Sequence, residues 1–445
     1  MRTCARDTAL LLAGGFTACV LASVAPPASA FTIDARRLGM GGAFTPRSRE
    51  LATANVAYHA VADRPSDFGR VIPLPLGLVQ LATDFPTFDA ESESFDVLRI
   101  TETILHPPFF LELTEPDPMD GDISISLARN AFAIDFDDAR DLLPQEPIRA
   151  GTTFAPPLFG LGIRGAQTFV APLLEAEARV ALDDPLYAVL SQGAPLLPNS
   201  RYDFQANATS LAGTSFHAGW SGGGWGAPES DGVHVGAFAK YVMGFGFGTA
   251  DTRVGLATAD TIFGDEDPLD VLFDATTRYA PFGQIGNGIG FDAGVAYRAG
   301  ALDVGVGVRD IATNVWFGKT TVEHSFIDDA TGEIVSETVA TDESFRLRLP
   351  MQTTVNLSWS GRATVLAADL TTSRWGTTTH FGAERRIGWL ALRGGLLTDE
   401  RHNLQYAGGL GLGLSQVWLD VGLQSHGYAF TEERGWTLGT SIGLR

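Results

Sequence analysis

A serine and a histidine two positions apart are the nearest thing in this chain to a catalytic pair. Ser215 and His217 lie in the alternating run from Tyr202 to Trp220, and at a period of two they share one face of a strand. Nucleophilic catalysis needs a serine beside a histidine, with a third polar group to orient the imidazole. No G-x-S-x-G surrounds Ser215, so the strained turn that presents a hydrolase serine is missing. We expect no enzyme. His234, His380 and His402 are scattered without metal-ligand spacing, and no metal site is expected from them. Asp265-Glu266-Asp267 could hold Ca²⁺, but it lacks the EF-hand pattern and reads as a solvated loop. We expect no cofactor.

Glycine supplies the next candidate. R-L-G-M-G-G-A-F (Arg37–Phe44) places Gly39, Gly41 and Gly42 within four positions, where left-handed backbone and close approach become possible. No strand precedes the cluster and the rest of a G-x-G-x-x-G or P-loop is missing. A tight turn in a small plug is the better reading, with Asn55 a short way on. Ser221–Gly226 also lacks a P-loop lysine and reads as a turn.

These residues need elements to position them. Arg2 and Arg6, an apolar run from Ala9 to Val24 and Ala28-Ser29-Ala30 form a secretion signal, with cleavage expected after Ala30. Both cysteines, Cys4 and Cys19, lie inside it, so the mature chain has no thiol chemistry. A net charge of -21 disfavours nucleic-acid binding. No later run reaches the roughly 18 apolar residues of a membrane helix. The chain is nevertheless 45% hydrophobic with 51 glycines, and alternating runs dominate it. Only helices and closed barrels satisfy their backbone within a bilayer. The expected fold is therefore all-β: a transmembrane antiparallel β-barrel of about fourteen strands with a small N-terminal plug. Residues 1–30 are read as signal, 31–68 as plug and 69–445 as barrel, in the outer membrane of a Gram-negative-type bacterium.

Five strands are expected upstream, near 69–82, 122–137, 152–170, 202–220 and 233–247. Nine follow between 285 and 445. Loops are expected at 83–121 (with a helical piece at 96–105), 171–201 (helical near 173–182), 250–284 and 318–350. Short and long connections alternate, as periplasmic turns and extracellular loops do. Parity then assigns two faces. Val355, Leu357 and Trp359, for example, point outward with Leu392. Asp303, Arg309, Asp369, Arg393 and Asp420 point inward with Asn356 and Gln424. The five inward charges are either a structural lattice or the lining of a path, and pairing is the commoner state of such groups.

With these pieces in place, the chain resembles the FadL/TodX group of outer-membrane transporters and the related PorV-like and TraF-like barrels. Leu38–Phe44 looks like their glycine-rich opening, and Asn55-Val56-Ala57 stands where they carry N-P-A. Ala368–Thr372, His380–Arg386, Leu390–Leu396 and Tyr406–Leu412 are similar to their closing hairpins. Val56 in place of proline and a terminal Arg445 depart from the pattern. The resemblance implies a barrel with an N-terminal hatch. It also implies passive transport of a hydrophobic small molecule of long-chain fatty acid or hydrocarbon type, released through an opening in the wall. PorV-like and TraF-like members imply a role in secretion or conjugation instead, and a purely structural barrel is a third possibility. The expected partners are outer-membrane lipid, the barrel-assembly machinery and a hydrophobic ligand.

Overall fold

Strands with one apolar and one polar face need a greasy exterior and a polar interior, and closing a sheet on itself provides both. The computed structural model describes residues 34–45, 49–61, 70–74, 108–109, 123–128, 131–136, 147–155, 159–163, 165–192, 194–225, 231–260, 269–280, 283–328, 331–398, 404–414, 416–426 and 435–444. The signal and the helical piece expected at 96–105 lie outside these residues.

The wall is built from β1 (Arg70–Pro73), β2 (Pro108–Phe109), β5 (Ile148–Phe154), β6 (Phe159–Ile163), β7 (Ala166–Leu182), β8 (Arg201–Trp225), β9 (Gly232–Thr258) and β10 (Leu269–Tyr279). It continues through β11 (Gly286–Ala299), β12 (Leu302–Ile327), β13 (Ile334–Arg348), β14 (Gln352–Ser360), β15 (Thr364–Ser373), β16 (Gly376–Ile387), β17 (Leu390–Thr398), β18 (Leu404–Leu414), β19 (Val417–His426) and β20 (Gly435–Leu444). Together they form one 18-stranded antiparallel sheet. A separate hairpin pairs β3 (Ile123–Ala128) with β4 (Ala131–Phe136).

Several segments share a row. β10 and β11 both bridge β9 to β12, one above the other. β13 and β14 both lie along β12, β5 and β6 along β7, and β1 and β2 along β20. The eighteen segments therefore make about fourteen rows, the expected number. Gln352 Nε2 donates to Thr153 Oγ1 at 3.1 Å. β14 and β5 are far apart along the wall, so this bond crosses a narrow interior.

The membership of the rows differs from the expectation. Of the strand expected at 122–137, Ile123–Ala128 and Ala131–Phe136 instead form the separate hairpin. The run 152–170 breaks at Gly165, whose φ of 88 makes a tight turn, and so supplies parts of two rows. Residues 173–182 are strand rather than helix, because Ala171, Leu173 and Glu175 alternate inward against β8. The stretches 250–284 and 318–350 are largely strand, not loop. Their charged residues alternate with β-branched ones, and a sheet standing clear of lipid tolerates both faces being polar.

The parity assignment describes the wall. Val355, Leu357, Trp359, Leu366 and Leu392 face out, while Asn356, Asp369, Arg393 and Asp420 are buried inside. Short turns at Gly300, Gly361 and Gly388 all lie at the end where β11, β12 and β14 to β17 begin or finish. At the other end β8, β9 and β12 run on to 25, 27 and 26 residues, against roughly 9–11 needed to cross a bilayer.

Neighbouring residues with opposite orientations allow a test. Leu392→Arg should cost roughly 2–4 kcal/mol if Leu392 sits near the midplane. Arg393→Leu removes the arginine paired with buried Asp420 and one of the three arginines on Glu384, and should cost about 3–5 kcal/mol at neutral pH. Acidification that protonates Asp420 should relieve part of the second loss and leave the first. Unfolding in reconstituted lipid at two pH values reads both. An equal pH response from the two variants would contradict the assigned faces.

Candidate functional site

The N-terminal segment occupies the interior in three short pieces: α1 (Ala35–Leu38), α2 (Arg49–Ala54) and a 3₁₀ turn over Val56–Ala60. Asp34 caps α1, its carboxylate accepting from the Arg36 N–H at 2.8 Å. Asn55 caps the 3₁₀ turn by accepting from the Ala57 N–H at 3.1 Å. Such short helices have little stability of their own, so tertiary contacts must hold them.

Those contacts are mostly backbone against glycine. A Cβ on Gly395 would sit 2.1 Å from the Met40 carbonyl carbon, one on Gly422 2.3 Å from the Ala35 oxygen, and one on Gly307 2.2 Å from the Ala54 oxygen. Gly236, Gly294, Gly382 and Gly409 crowd the plug in the same way. Gly41 and Gly42 take φ of 66 and 80, the left-handed turn expected of that cluster. Gly39 is right-handed, with a φ of -65, and is needed for close contact with Gly409 instead.

Charge locks the plug to the wall. The Arg36 guanidinium donates to both oxygens of Glu384, at 2.7 and 3.2 Å. Arg393 also donates to Glu384 at 2.8 Å and to Asp420 at 2.6 Å, and Arg386 donates to Glu384 at 2.7 Å. On another side the Phe44 N–H donates to Asp369 at 2.7 Å, and Asp369 meets His380 Nδ1 at 2.6 Å. Asn55 Nδ2 donates to the Val295 carbonyl, and Asn356 Nδ2 to the Tyr58 hydroxyl. Burial pushes the Asp34 carboxyl up to about 6, helped by the nearby carboxylates of Glu50 and Asp420. Burial likewise pulls His59 down to about 4, with His217 adding to the effect.

The five inward charges read from the sequence thus separate into sets. Arg393 and Asp420 pair directly. Asp369 holds the plug. Asp303 pairs with Arg298 at 2.5 Å, and Arg309 lies 4.0 Å from Asp310. Glu384 and Arg36, the centre of the largest set, were missed. Glu384 shares inward parity with His380 and Gly382, which could have revealed it. Arg36 has no comparable signal, because its partner is 348 positions away.

Above the plug lies a second set. Lys240 Nζ is 2.8 Å from Asp292 and 2.7 Å from Asp310. His217 Nδ1 is 3.3 Å from Asp292, and its Nε2 is 2.9 Å from Ser215 Oγ. Serine, histidine and aspartate therefore stand in catalytic order. The serine hydroxyl also lies 3.3 Å from the Ala171 carbonyl of the neighbouring strand, so it is tied to the sheet as well as to the imidazole. It is also 3% exposed. The row is a strut between strands.

Higher still, the interior turns apolar. Leu173, Leu211, Val242, Phe247, Val315, Phe317, Leu347 and Leu349 point inward and pack together, where a barrel lumen is ordinarily polar. Outside, at the level of Ser215, His217 and Lys240, the wall carries a groove of about 690 Å³. Its exposed rim includes Leu161, Phe216, Tyr241, Ile289 and Phe291, and its floor Ala218, Ala239 and Gly290. β12 is irregular beside it. The register slips on both sides of Phe291, and Asp310 and Ala312 adopt φ of 58 and 51, conformations that cost L-residues energy and bend the strand.

No family model matches the chain, and no curated protein matches it in sequence. Among solved structures it is similar to the Ralstonia pickettii toluene transporter TbuX, at 12% identity over 69% of this chain and 91% of that one, with a TM-score of 0.33. It is similar also to the Pseudomonas putida toluene transporter TodX, at 11% identity over 63% and 89%, with a TM-score of 0.27. A Rhodopseudomonas blastica porin triple mutant matches at 11% identity over 53% and 100%, with a TM-score of 0.21.

The seating of the plug has a pH signature. Asp34 titrates near 6 in the folded chain against an ordinary 3.8, so the seated plug favours its neutral form. That contribution is full below about 3.8 and is lost as pH rises through about 6. Protease cleavage within α1 should therefore accelerate over that interval, and Asp34→Asn should flatten the profile. A wild-type profile already flat between those values would exclude Asp34 as the titrating group.

Proposed function

We propose that this chain is an outer-membrane conduit for passive movement of hydrophobic small molecules. The observation that carries this reading is the inward-facing apolar cluster around Leu211, Val242, Val315 and Phe317. A barrel interior buried only for stability needs no such reversal of its usual polarity, whereas an apolar solute leaving water gains roughly 25 cal/mol for each Å² it buries there.

The plug closes the axial way below the cluster, with Gly39, Gly41, Gly42 and Asn55 holding its turns. In this reading it gates passage, and a solute reaches the membrane sideways, through the glycine-thinned wall at the Gly290 groove. Export by the N-terminal signal and insertion by the barrel-assembly machinery belong to the same proposal. So does the ligand class, a long-chain fatty acid or a hydrocarbon.

One observation favours a second reading, an accessory barrel for protein secretion or conjugation. The sheet of β8, β9, β10, β12 and β13 stands far beyond the apolar band, and β13 is exposed along most of its length. Such a surface suits a protein partner.

Uptake separates the two. Cells making the protein should accumulate a fluorescent fatty acid or a labelled aromatic hydrocarbon faster than cells lacking it. Val315→Asn, which places an amide in the apolar cluster, should lower that uptake several-fold while heat-modifiable gel mobility stays normal. Uptake no greater than in cells without the protein would end the conduit reading and leave the accessory one.

A further inference from the structure

Two arginines on the outside of the wall have no role in anything described so far. β13 alternates through Phe345, Arg346, Leu347 and Arg348. Leu347 is buried in the interior cluster, and both arginines are exposed on the opposite, outward face. In register, Arg346 lies beside Trp316 and Arg348 beside Asn314. Below them in the same row, β14 presents Val355, Leu357 and Trp359 outward, the apolar band of this part of the wall. The arginines therefore stand at its upper margin, and Trp316, 43% exposed beside them, is the residue type that marks a membrane interface.

Neither arginine has an ion-pair or hydrogen-bond partner among the described residues. The acids just above on the same strand are already engaged, Asp342 with Lys319 at 3.2 Å and Glu343 with Arg278 at 3.1 Å. A chain of net charge -21 thus leaves two guanidinium groups unneutralised, about 6.6 Å apart along one strand face. At the bilayer midplane an arginine is costly, and at the interface it is nearly free. Planar guanidinium forks match phosphate oxygens in geometry and charge.

We propose that Arg346 and Arg348 form a binding site for the phosphate of a membrane lipid headgroup on the side of the membrane away from the plug. The site rests on the membrane placement of the barrel and not on transport. A phosphorylated glycolipid, with its acyl chains running down over the Val355–Trp359 face, satisfies both the charge and the position.

The test is lipid retention by the purified full-length barrel in mild detergent, read by native mass spectrometry. The probes are diphosphoryl lipid A and its dephosphorylated form. Wild-type protein should retain the phosphorylated form several-fold better. Arg346→Gln with Arg348→Gln should abolish that preference while gel mobility remains that of a folded barrel, and Lys at both positions should restore part of it. Equal retention of the two lipids by the wild type, or an undiminished preference in the double variant, would overturn the site. Displacement of the lipid by millimolar inorganic phosphate would also overturn it, by showing a site for the free ion. Failure of the uptake experiment would leave all these outcomes readable.

Discussion

The fit of plug backbone onto wall glycines governs this molecule. α1, α2 and the 3₁₀ turn are too short to fold alone, and they can approach β9, β11, β12 and β16 to β19 only where the wall has no side chain. Once seated, the plug brings Arg36 within reach of Glu384 and the Phe44 amide within reach of Asp369. These inward carboxylates would otherwise be buried with fewer donors, at several kcal/mol each. Plug and wall are therefore one cooperative structure, in which removing a contact from either side exposes a charge on the other.

Above that floor the interior is layered. A charged tier around Lys240, Asp292 and Asp310 separates the plug from the apolar cluster. Its groups satisfy one another, and the Asp310 N–H donates to Asp292 through the bulged backbone of β12 at 2.9 Å. The irregularity of β12 thus follows from the tier. Two strained residues bring a backbone donor and a carboxylate to positions that a regular strand could not supply. The same irregularity lies beside the outer groove, so the wall departs from regular pleating where its two sides carry their most distinctive chemistry.

Alternation along β14 to β20 was legible in the sequence because one face meets lipid and the other a packed polar interior, leaving no ambiguity of register. The row number was legible for the same reason. The upper strands were not. Beyond the membrane a sheet has two solvent faces, and Asp251-Thr252-Arg253 or Glu337-Thr338-Val339 looks as much like loop as strand. At the site, Asp369, Arg393 and Asp420 could be placed inward by parity alone. Their partners could not be, since Arg36–Glu384 and Phe44–Asp369 join residues more than three hundred positions apart. Ser215 and His217 were visible as neighbours on one face. The Ala171 carbonyl beside Ser215 comes from another strand and leaves no trace in the local pattern.

The unequal strand lengths set how far this protein can be seen. β9 carries 27 residues, roughly sixteen more than a crossing requires. At about 3.3 Å per residue and a tilt near 45°, that surplus lifts the ribbon about 35 Å clear of the lipid. The barrel therefore stands like a mast beside the bilayer rather than ending flush with it. The height of that upper ribbon is fixed by the pairing of β8, β9 and β12 through β10.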